Sequence, residues 1–259
     1  MEKNDLSSSI SSTSLIAIPG PADAVLPQAG AQGFLGVLML DTCFPRPPGD
    51  LGHPQAFGVP VRQLVVQGAF PGEVVRSAQG LRASGLQERF IEAARQLQQE
   101  GARAITTSCG FLVLMQAQLQ AAVSVPVLSS SLLQLPALLE AEPQVGVLTI
   151  SAGNLGPEFL LAAGVDEARL ADVVVQGVDP QGEFAGAILG NRTAMDLARA
   201  RAEVVAAARA LQARAPGLRT VVLECTNMPP YAEAVSDATG WRARSLLDAR
   251  ELVDWFGHA

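Results

Sequence analysis

Two cysteines stand at equivalent places in the two halves of the chain. Cys109 lies in the segment TTSCGF and Cys225 in LECTNMPPY, and each follows an apolar run typical of a buried strand. A thiolate can take a proton from one face of a bound carbon while a thiol returns a proton to the other face, because the ordinary thiol pKa of about 8.5 is readily tuned. Two thiols facing one carbon would therefore invert a stereocentre without a metal or a cofactor.

The two halves repeat several landmarks in the same order. Residues 34–42, FLGVLMLDT, are similar to residues 144–152, QVGVLTISA, and this alignment places Asp41 opposite Ser151. The segments LVVQGAFP and VVVQGVDP come next, followed by AARQLQ and AARALQ. Ordered self-similarity of this kind indicates two copies of one unit rather than a long array of short repeats.

Hydrophobic spacing predicts how each copy folds. Unbroken apolar runs such as residues 145–150 are typical of parallel strands covered on both faces. Phe90, Ala93, Ala94 and Leu97 have the spacing of one helix face. Each copy is predicted to run strand, strand, helix, strand, cysteine, helix, strand. We predict an α/β fold of two pseudo-twofold-related three-layer lobes with mainly parallel sheets and the active site between them, because ligands bind at the carboxyl ends of such strands.

The same pattern suggests domain bounds. Residues 1–30, rich in Ser, Ala and Pro, are expected to form a mobile tail. Residues 31–138 are expected to form the first lobe, with Cys109, and residues 139–259 the second lobe, with Cys225. A crossing of the C-terminal segment back to the first lobe is left open.

Composition argues against several functional classes. The 259 residues carry a formal net charge of −7 without a basic cluster, so nucleic acid is not an expected partner. No apolar stretch approaches the roughly 18 residues of a membrane helix, and no signal-peptide pattern is visible. The only lysine is Lys3, and the histidines are His53 and His258, so pyridoxal phosphate and metal sites are not expected. We expect a cytoplasmic protein that acts on a small molecule without a cofactor, with homodimer formation left open.

The residues around the cysteines could bind a substrate carboxylate. Each cysteine precedes a predicted helix start, where backbone N–H groups attract anions and favour thiolate. These backbone groups belong to Gly110, Phe111, Thr226 and Asn227, with side-chain donors on Ser108, Thr226 and Asn227.

The loop from Asp41 to His53 follows the first strand and is rich in Pro and Gly. Asp41 could assist a thiol or orient a substrate, or serve only as a cap or turn residue. Arg46 and His53 could meet a side-chain carboxylate, or could be solvated on a surface connection. Cys43 is expected to fill the core, as unpaired cysteines usually do.

At these residues the chain resembles the aspartate/glutamate/hydantoin racemase superfamily, from Phe34 to about Arg250. The motifs that carry the resemblance are the cysteine after the third strand of each half, Asp41-Thr42, Thr149 and Cys225-Thr226-Asn227. The resemblance implies that Cys109 and Cys225 form the acid/base pair and that Asp41 assists them. It implies substrate ligands at Ser108, Thr149, Thr226 and Asn227. Thr42 and Ser151, after the first and fifth strands, complete the candidate binding set.

The sequence also departs from that superfamily's glutamate racemase branch. That branch commonly has Cys-Asn-Thr and Cys-Thr-His where this chain has Cys109-Gly110-Phe111 and Cys225-Thr226-Asn227. A divergent branch is therefore indicated. The leading hypothesis is a racemase or epimerase of an aspartate- or glutamate-type amino acid or a related carbonyl acid. The alternatives are a hydantoin racemase, a decarboxylase or cis-trans isomerase of the same fold (arylmalonate or maleate type), and a non-catalytic binding protein.

Overall fold

Two four-stranded parallel sheets organise the chain, whose computed structural model describes residues 33–249, 252 and 255. The first sheet has the order β2-β1-β3-β4 and the second the order β6-β5-β7-β8, and neighbouring strands are parallel throughout. The strands are β1 (Phe34–Met39), β2 (Val61–Val65), β3 (Ala102–Thr107), β4 (Val127–Leu128), β5 (Val145–Thr149), β6 (Val173–Gly177), β7 (Thr220–Leu223) and β8 (Arg242–Arg244). The predicted pair of α/β lobes with parallel sheets is confirmed. The predicted tail, residues 1–30, lies outside the described residues.

Helices connect these strands in both lobes. They are α1 (Pro71–Val74), α2 (Ala78–Ala83), α3 (Leu86–Gln99), α4 (Gln116–Ala122), α5 (Leu135–Ala141), α6 (Pro157–Ala162), α7 (Glu183–Leu189), α8 (Leu197–Arg214) and α9 (Ala232–Thr239). The described helices do not include one long and apolar enough to cross a membrane.

Helix α6 corrects the predicted element order, in which β5 passed directly to β6. The helix begins with Pro157 after an extended Gly156, which suits the first turn of a helix. It buries Phe159 against Phe111 of the first lobe, with the ring centroids 4.9 Å apart in an edge-to-face arrangement. Because this partner is distant in sequence, local spacing in the short segment gave no sign of it.

A strand glycine lets the main helix of each lobe approach its sheet closely. A Cβ on Gly36 of β1 would lie 3.0 Å from a methyl group of Leu97 on α3. A Cβ on Gly146 of β5 would lie 3.0 Å from a methyl group of Leu211 on α8. Both leucines are fully buried. The sequence duplication thus reproduces the same helix-on-sheet contact in both lobes.

Within the described residues, the chain passes between the lobes twice. Helix α5 leads from the first sheet to the second, and the division predicted after residue 138 falls inside it. Beyond β8, Leu246, Ala249 and Leu252 pack in one apolar cluster with residues of β1, including Leu35 and Val37. The C-terminal segment therefore packs on the sheet of the first lobe.

Replacing Leu97 with Ala should lower the free energy of unfolding by about 2–5 kcal/mol, because it removes buried methyl groups and leaves a cavity under α3 that the neighbouring residues only partly close. Denaturant titration at constant pH measures this. Leu161→Ala is the matched control, since Leu161 is 45% exposed and its replacement should cost less than about 0.5 kcal/mol. Equal losses in the two variants would contradict the described packing.

Candidate active site

The central strands of both sheets end at one place. β3 is followed by Ser108 and Cys109, and β7 is followed by Glu224 and Cys225. The loops after β1 and β5 reach the same edge, because parallel strands present their carboxyl ends on one side. Both thiols therefore lie where ligands bind in open parallel α/β sheets.

A cavity that opens to solvent lies between the lobes and is lined by both cysteines. Its polar lining residues are Ser108, Cys109, Gly110, Glu224, Cys225, Thr226 and Asn227. Its apolar lining residues are Leu40, Phe44, Pro71, Val75, Phe111, Ile150 and Ile188. One small molecule in this space would meet residues of both halves of the chain.

Hydrogen bonds join the two half-sites directly. The Thr226 hydroxyl donates to the carbonyl oxygen of Ser108 at 2.6 Å. The Ser108 hydroxyl in turn accepts from the backbone N–H of Leu40 at 2.9 Å, and the Thr226 carbonyl accepts from the N–H of Leu51 at 3.2 Å. Buried polar groups are normally paired in this way. Ser108 and Thr226 thus fix the positions of the cysteines beside them.

The surroundings of both thiols favour the protonated form. Burial raises the pKa of Cys109 and of Cys225 above the usual thiol value, and the neighbouring Glu224 carboxylate raises both further. The backbone N–H groups of Phe111 and Leu112 lower the pKa of Cys109, as that of Asn227 does for Cys225, but they do not offset burial. A ligand that changes the charge of the cavity would therefore change how readily a thiolate forms.

Glu224 is a functional candidate that the sequence analysis missed. It is 1% exposed, and its Oε2 accepts a hydrogen bond of 2.7 Å from the Thr149 hydroxyl. Among the described residues its Oε1 has no hydrogen-bond partner. Burial raises the pKa of this carboxyl group to about 7. The available signal was an acidic residue ending an apolar strand directly before a cysteine.

The loop from Asp41 to His53 reaches the site through Asp50, which was also missed. Asp50 is buried and accepts hydrogen bonds from the Asn227 side chain at 2.7 Å and from Arg46 at 2.9 Å. The Asn227 side-chain oxygen lies 3.6 Å from the sulfur of Cys225, as an acceptor for the thiol. A chain of contacts therefore runs from Arg46 through Asp50 and Asn227 to Cys225.

The other loop candidates lie outside the cavity lining. Arg46 also donates to the Thr42 hydroxyl at 3.0 Å, and its guanidinium group lies 4.4 Å from the ring centre of Phe44. The Asp41 carboxylate accepts from the Gly68 N–H at 2.9 Å. The His53 Nδ1 accepts from the Gln55 N–H at 3.3 Å. Catalytic or substrate-binding roles for these residues stay predictions.

Two further candidates follow β5. Thr149 is linked to the cavity by its hydrogen bond to Glu224, and the backbone N–H of Ser151 donates to the Thr149 hydroxyl at 3.3 Å. Seven of the predicted site residues line the same cavity: Ser108, Cys109, Gly110, Phe111, Cys225, Thr226 and Asn227. The described residues contain no group of three or more His, Cys, Asp or Glu side chains that could hold a metal ion.

The expectation that Cys43 fills the core is wrong. Cys43 is exposed, and its thiol donates to the carbonyl oxygen of Asn191 at 2.8 Å. The Asn191 side chain accepts from the Cys43 N–H at 2.8 Å and donates to the Asp41 carbonyl at 3.2 Å. Cys43 therefore belongs to a surface contact between the lobes, because the loop after β1 turns outward there.

The fold and the site together define a two-lobed α/β protein with paired thiols at the interface. Residues 93–249 match the Asp/Glu/Hydantoin racemase family, which is more than half of the chain. The chain belongs to this family.

Its similar relatives include proteins named as lyases. It is 32% identical over 229 residues to the dimethylsulfoniopropionate lyase of Durusdinium sp. clade D, over 86% of this chain and 73% of that protein. It is 34% identical over 216 residues to dimethylsulfoniopropionate lyase 3 of Emiliania huxleyi (strain CCMP1516), over 79% of this chain and 55% of that protein. The chain spans about half the length of several of the Emiliania huxleyi relatives.

Solved structures share the fold at low sequence identity. Arylmalonate decarboxylase aligns with a TM-score of 0.57 and 16% identity, over 87% of this chain and 94% of that chain. Glutamate racemase from Francisella tularensis subsp. tularensis SCHU S4, in complex with D-glutamate, aligns with a TM-score of 0.53 and 13% identity, over 88% and 82%. These likenesses establish the two-lobed fold.

The raised pKa of Glu224 makes stability depend on pH in a defined direction. The pKa of Glu224 is about 7 in the folded chain against 4.5 for a free glutamate. The contribution of this carboxyl group to the free energy of unfolding is therefore fully present below pH 4.5 and is lost as the pH rises through 7. At pH 8, the free energy of unfolding of Glu224→Gln should therefore exceed that of the wild type by on the order of 2–3 kcal/mol. At pH 4.5 the two free energies should be nearly equal. Denaturant titrations at both pH values test this. A gain that is equal at both values would contradict the assignment.

Proposed function

We propose that this chain is a lyase that removes the α-proton of a small carboxylate with a cysteine thiolate and expels a β-substituent. We further propose that its substrate is dimethylsulfoniopropionate or a close analogue. The observation that carries the proposal is a cavity lined by Cys109 and Cys225 in a chain 32–34% identical to proteins named dimethylsulfoniopropionate lyases.

The proposed reaction needs only acid/base chemistry. In dimethylsulfoniopropionate the sulfonium sulfur is attached to the carbon β to the carboxylate. A thiolate takes the α-proton, the C–H electron pair becomes the carbon–carbon double bond, and the C–S bond breaks with its electron pair going to sulfur. The products are acrylate, dimethyl sulfide and a protonated thiol. Because the leaving group departs as a neutral molecule, no second acid has to protonate it.

Several groups of the cavity suit this reaction. A carboxylate bound beside the thiols acidifies the α-proton most when hydrogen-bond donors stabilise the charge that develops on its oxygens. Backbone N–H groups that follow Cys109 and Cys225 lie at the cavity wall, and those of Phe111 and Asn227 already favour thiolate. The apolar residues of the cavity limit access of water.

The amino-acid racemase, which was the leading hypothesis from the sequence, is the second candidate, and one observation favours it. The cavity holds two thiols, whereas the elimination needs one base. Racemisation uses both, one to remove the α-proton and one to return a proton to the opposite face. The two candidates therefore differ in how their activity depends on the two cysteines.

Purified protein incubated with dimethylsulfoniopropionate should release dimethyl sulfide and acrylate in equal amounts, measured by headspace gas chromatography and proton NMR. At least one of Cys109→Ser and Cys225→Ser should lower kcat by about 10²- to 10⁴-fold, because a serine hydroxyl is a far weaker acid than a thiol.

Cys43→Ser is the matched control and should retain wild-type activity, since Cys43 is exposed and does not line the cavity. Full activity in both cavity variants would refute the thiolate mechanism. α-Deuterium exchange and inversion of aspartate or glutamate in heavy water, with comparable losses in both variants and no dimethyl sulfide release, would replace the lyase with the racemase.

A further inference from the structure

Glu224 occupies a place made for it by the absence of a side chain at Gly110. A Cβ on Gly110 would overlap both the carbonyl oxygen and Oε1 of Glu224. A side chain at position 110 would therefore collide with the buried Glu224, which explains the glycine there. Gly110 and Glu224 both line the cavity, one from each lobe.

A purely structural role leaves half of this carboxyl group unexplained. Oε2 accepts the hydrogen bond from Thr149, but Oε1 has no donor among the described residues, although buried carboxylate oxygens are normally paired. None of the lining residues is basic. The nearby Arg46 is engaged by Asp50, Thr42 and the Phe44 ring. The negative charge of Glu224 therefore lacks a cation supplied by the cavity lining.

The remaining residues of the cavity lining indicate which kind of cation would fit. The cavity lining also includes apolar residues, among them Phe44 and Phe111. A methylated onium group carries a positive charge under an apolar surface, so it gains from a carboxylate and from aromatic faces without needing hydrogen-bond acceptors for itself. A second carboxylate on the substrate would instead be repelled by Glu224.

We propose that Glu224 is a specificity-determining residue that receives the positively charged onium group of the substrate, so that the site selects a monocarboxylate bearing a methylated cation and rejects dicarboxylates. This inference rests on the proposed function for the identity of the cation, a sulfonium. In such a substrate the carboxylate and the onium group are at opposite ends of the molecule, with the α-carbon between them.

Pairing of Glu224 with a cation would also favour ionisation of the thiol that acts as the base. The Glu224 carboxylate raises the pKa of both thiols, so a bound cation that neutralises this carboxylate makes thiolate formation easier. The other ionisable groups that act on the thiols are Asp50 and Cys109, which raise the pKa of Cys225, and Arg46, which lowers that of Cys109. Tyr231 also interacts with Cys225, since burial raises the pKa of this tyrosine and Asp50 and Cys225 raise it further. The substrate that fits Glu224 therefore helps to activate the thiol that acts on it.

The test compares two unreactive ligands of the same shape that differ by one positive charge, 3-(dimethylammonio)propionate and 4-methylpentanoate. At pH 8, calorimetry should show that the wild type binds the cationic ligand about tenfold more tightly or better. Glu224→Gln should abolish this preference. Glu142→Gln is the matched control and should keep it, because Glu142 is a buried carboxyl that pairs with Thr220 and Arg242 and does not line the cavity.

The wild type provides a second measurement that does not depend on a variant folding. Its preference for the cationic ligand should shrink as the pH falls from 8 to 5.5, because protonation of Glu224, with a pKa of about 7, removes the charge that attracts the cation. A wild type without the preference at pH 8, including one that binds neither ligand, would overturn the inference. So would a preference retained in Glu224→Gln, or one lost equally in Glu142→Gln.

These outcomes separate the inference from the proposed function. A Glu224-dependent preference in a protein that releases no dimethyl sulfide would refute the lyase and leave the cation site standing. Release of dimethyl sulfide with an unchanged preference in Glu224→Gln would refute the cation site and leave the lyase standing.

Discussion

The hydrogen bond from the Thr226 hydroxyl to the Ser108 carbonyl oxygen joins residues 118 positions apart and holds the two half-sites together. It forms because the central strands of two parallel sheets end at the same interface. Each cysteine lies next to one partner of this bond, so the relative position of the thiols follows from it. The loop after β1 is tied to the same point by the Leu40 and Leu51 backbone N–H groups.

Within that frame, three ionisable groups share one small cavity. Cys109, Cys225 and Glu224 are all buried, and a charge on Glu224 makes either thiol harder to ionise. Burial therefore favours the uncharged form of all three groups. In the proposed reaction, activation by the substrate would also protect the thiols from unproductive reactions before the substrate binds.

The features that follow from repetition and strand pattern could be predicted from the sequence. The two lobes, their parallel sheets and the placement of Cys109 and Cys225 after matching strands needed only the internal similarity and short apolar runs. Helix α6 was missed because its buried face packs on Phe111 of the other lobe, which local spacing cannot reveal. Cys43 was misjudged because its burial depended on the course of an irregular loop.

Glu224 could not be singled out for a similar reason. At the end of an apolar strand, a glutamate reads as the first solvated residue of a loop, and only the three-dimensional proximity of Gly110 shows that it is enclosed. For Arg46 the sequence left two roles open, a contact with a substrate carboxylate or a solvated position on a surface loop. Its partners Asp50 and Thr42 lie four residues away on either side and use its donors locally.

The packing of Leu246, Ala249 and Leu252 on the first sheet has a practical consequence for work with this protein. These residues cover apolar side chains of β1 that would otherwise face water, and contiguous apolar surface of that kind promotes association. A chain that ends directly after β8 would therefore leave this surface of the first lobe uncovered and would aggregate. Expression designs need to retain the chain through at least Leu252, and tags are better attached beyond it.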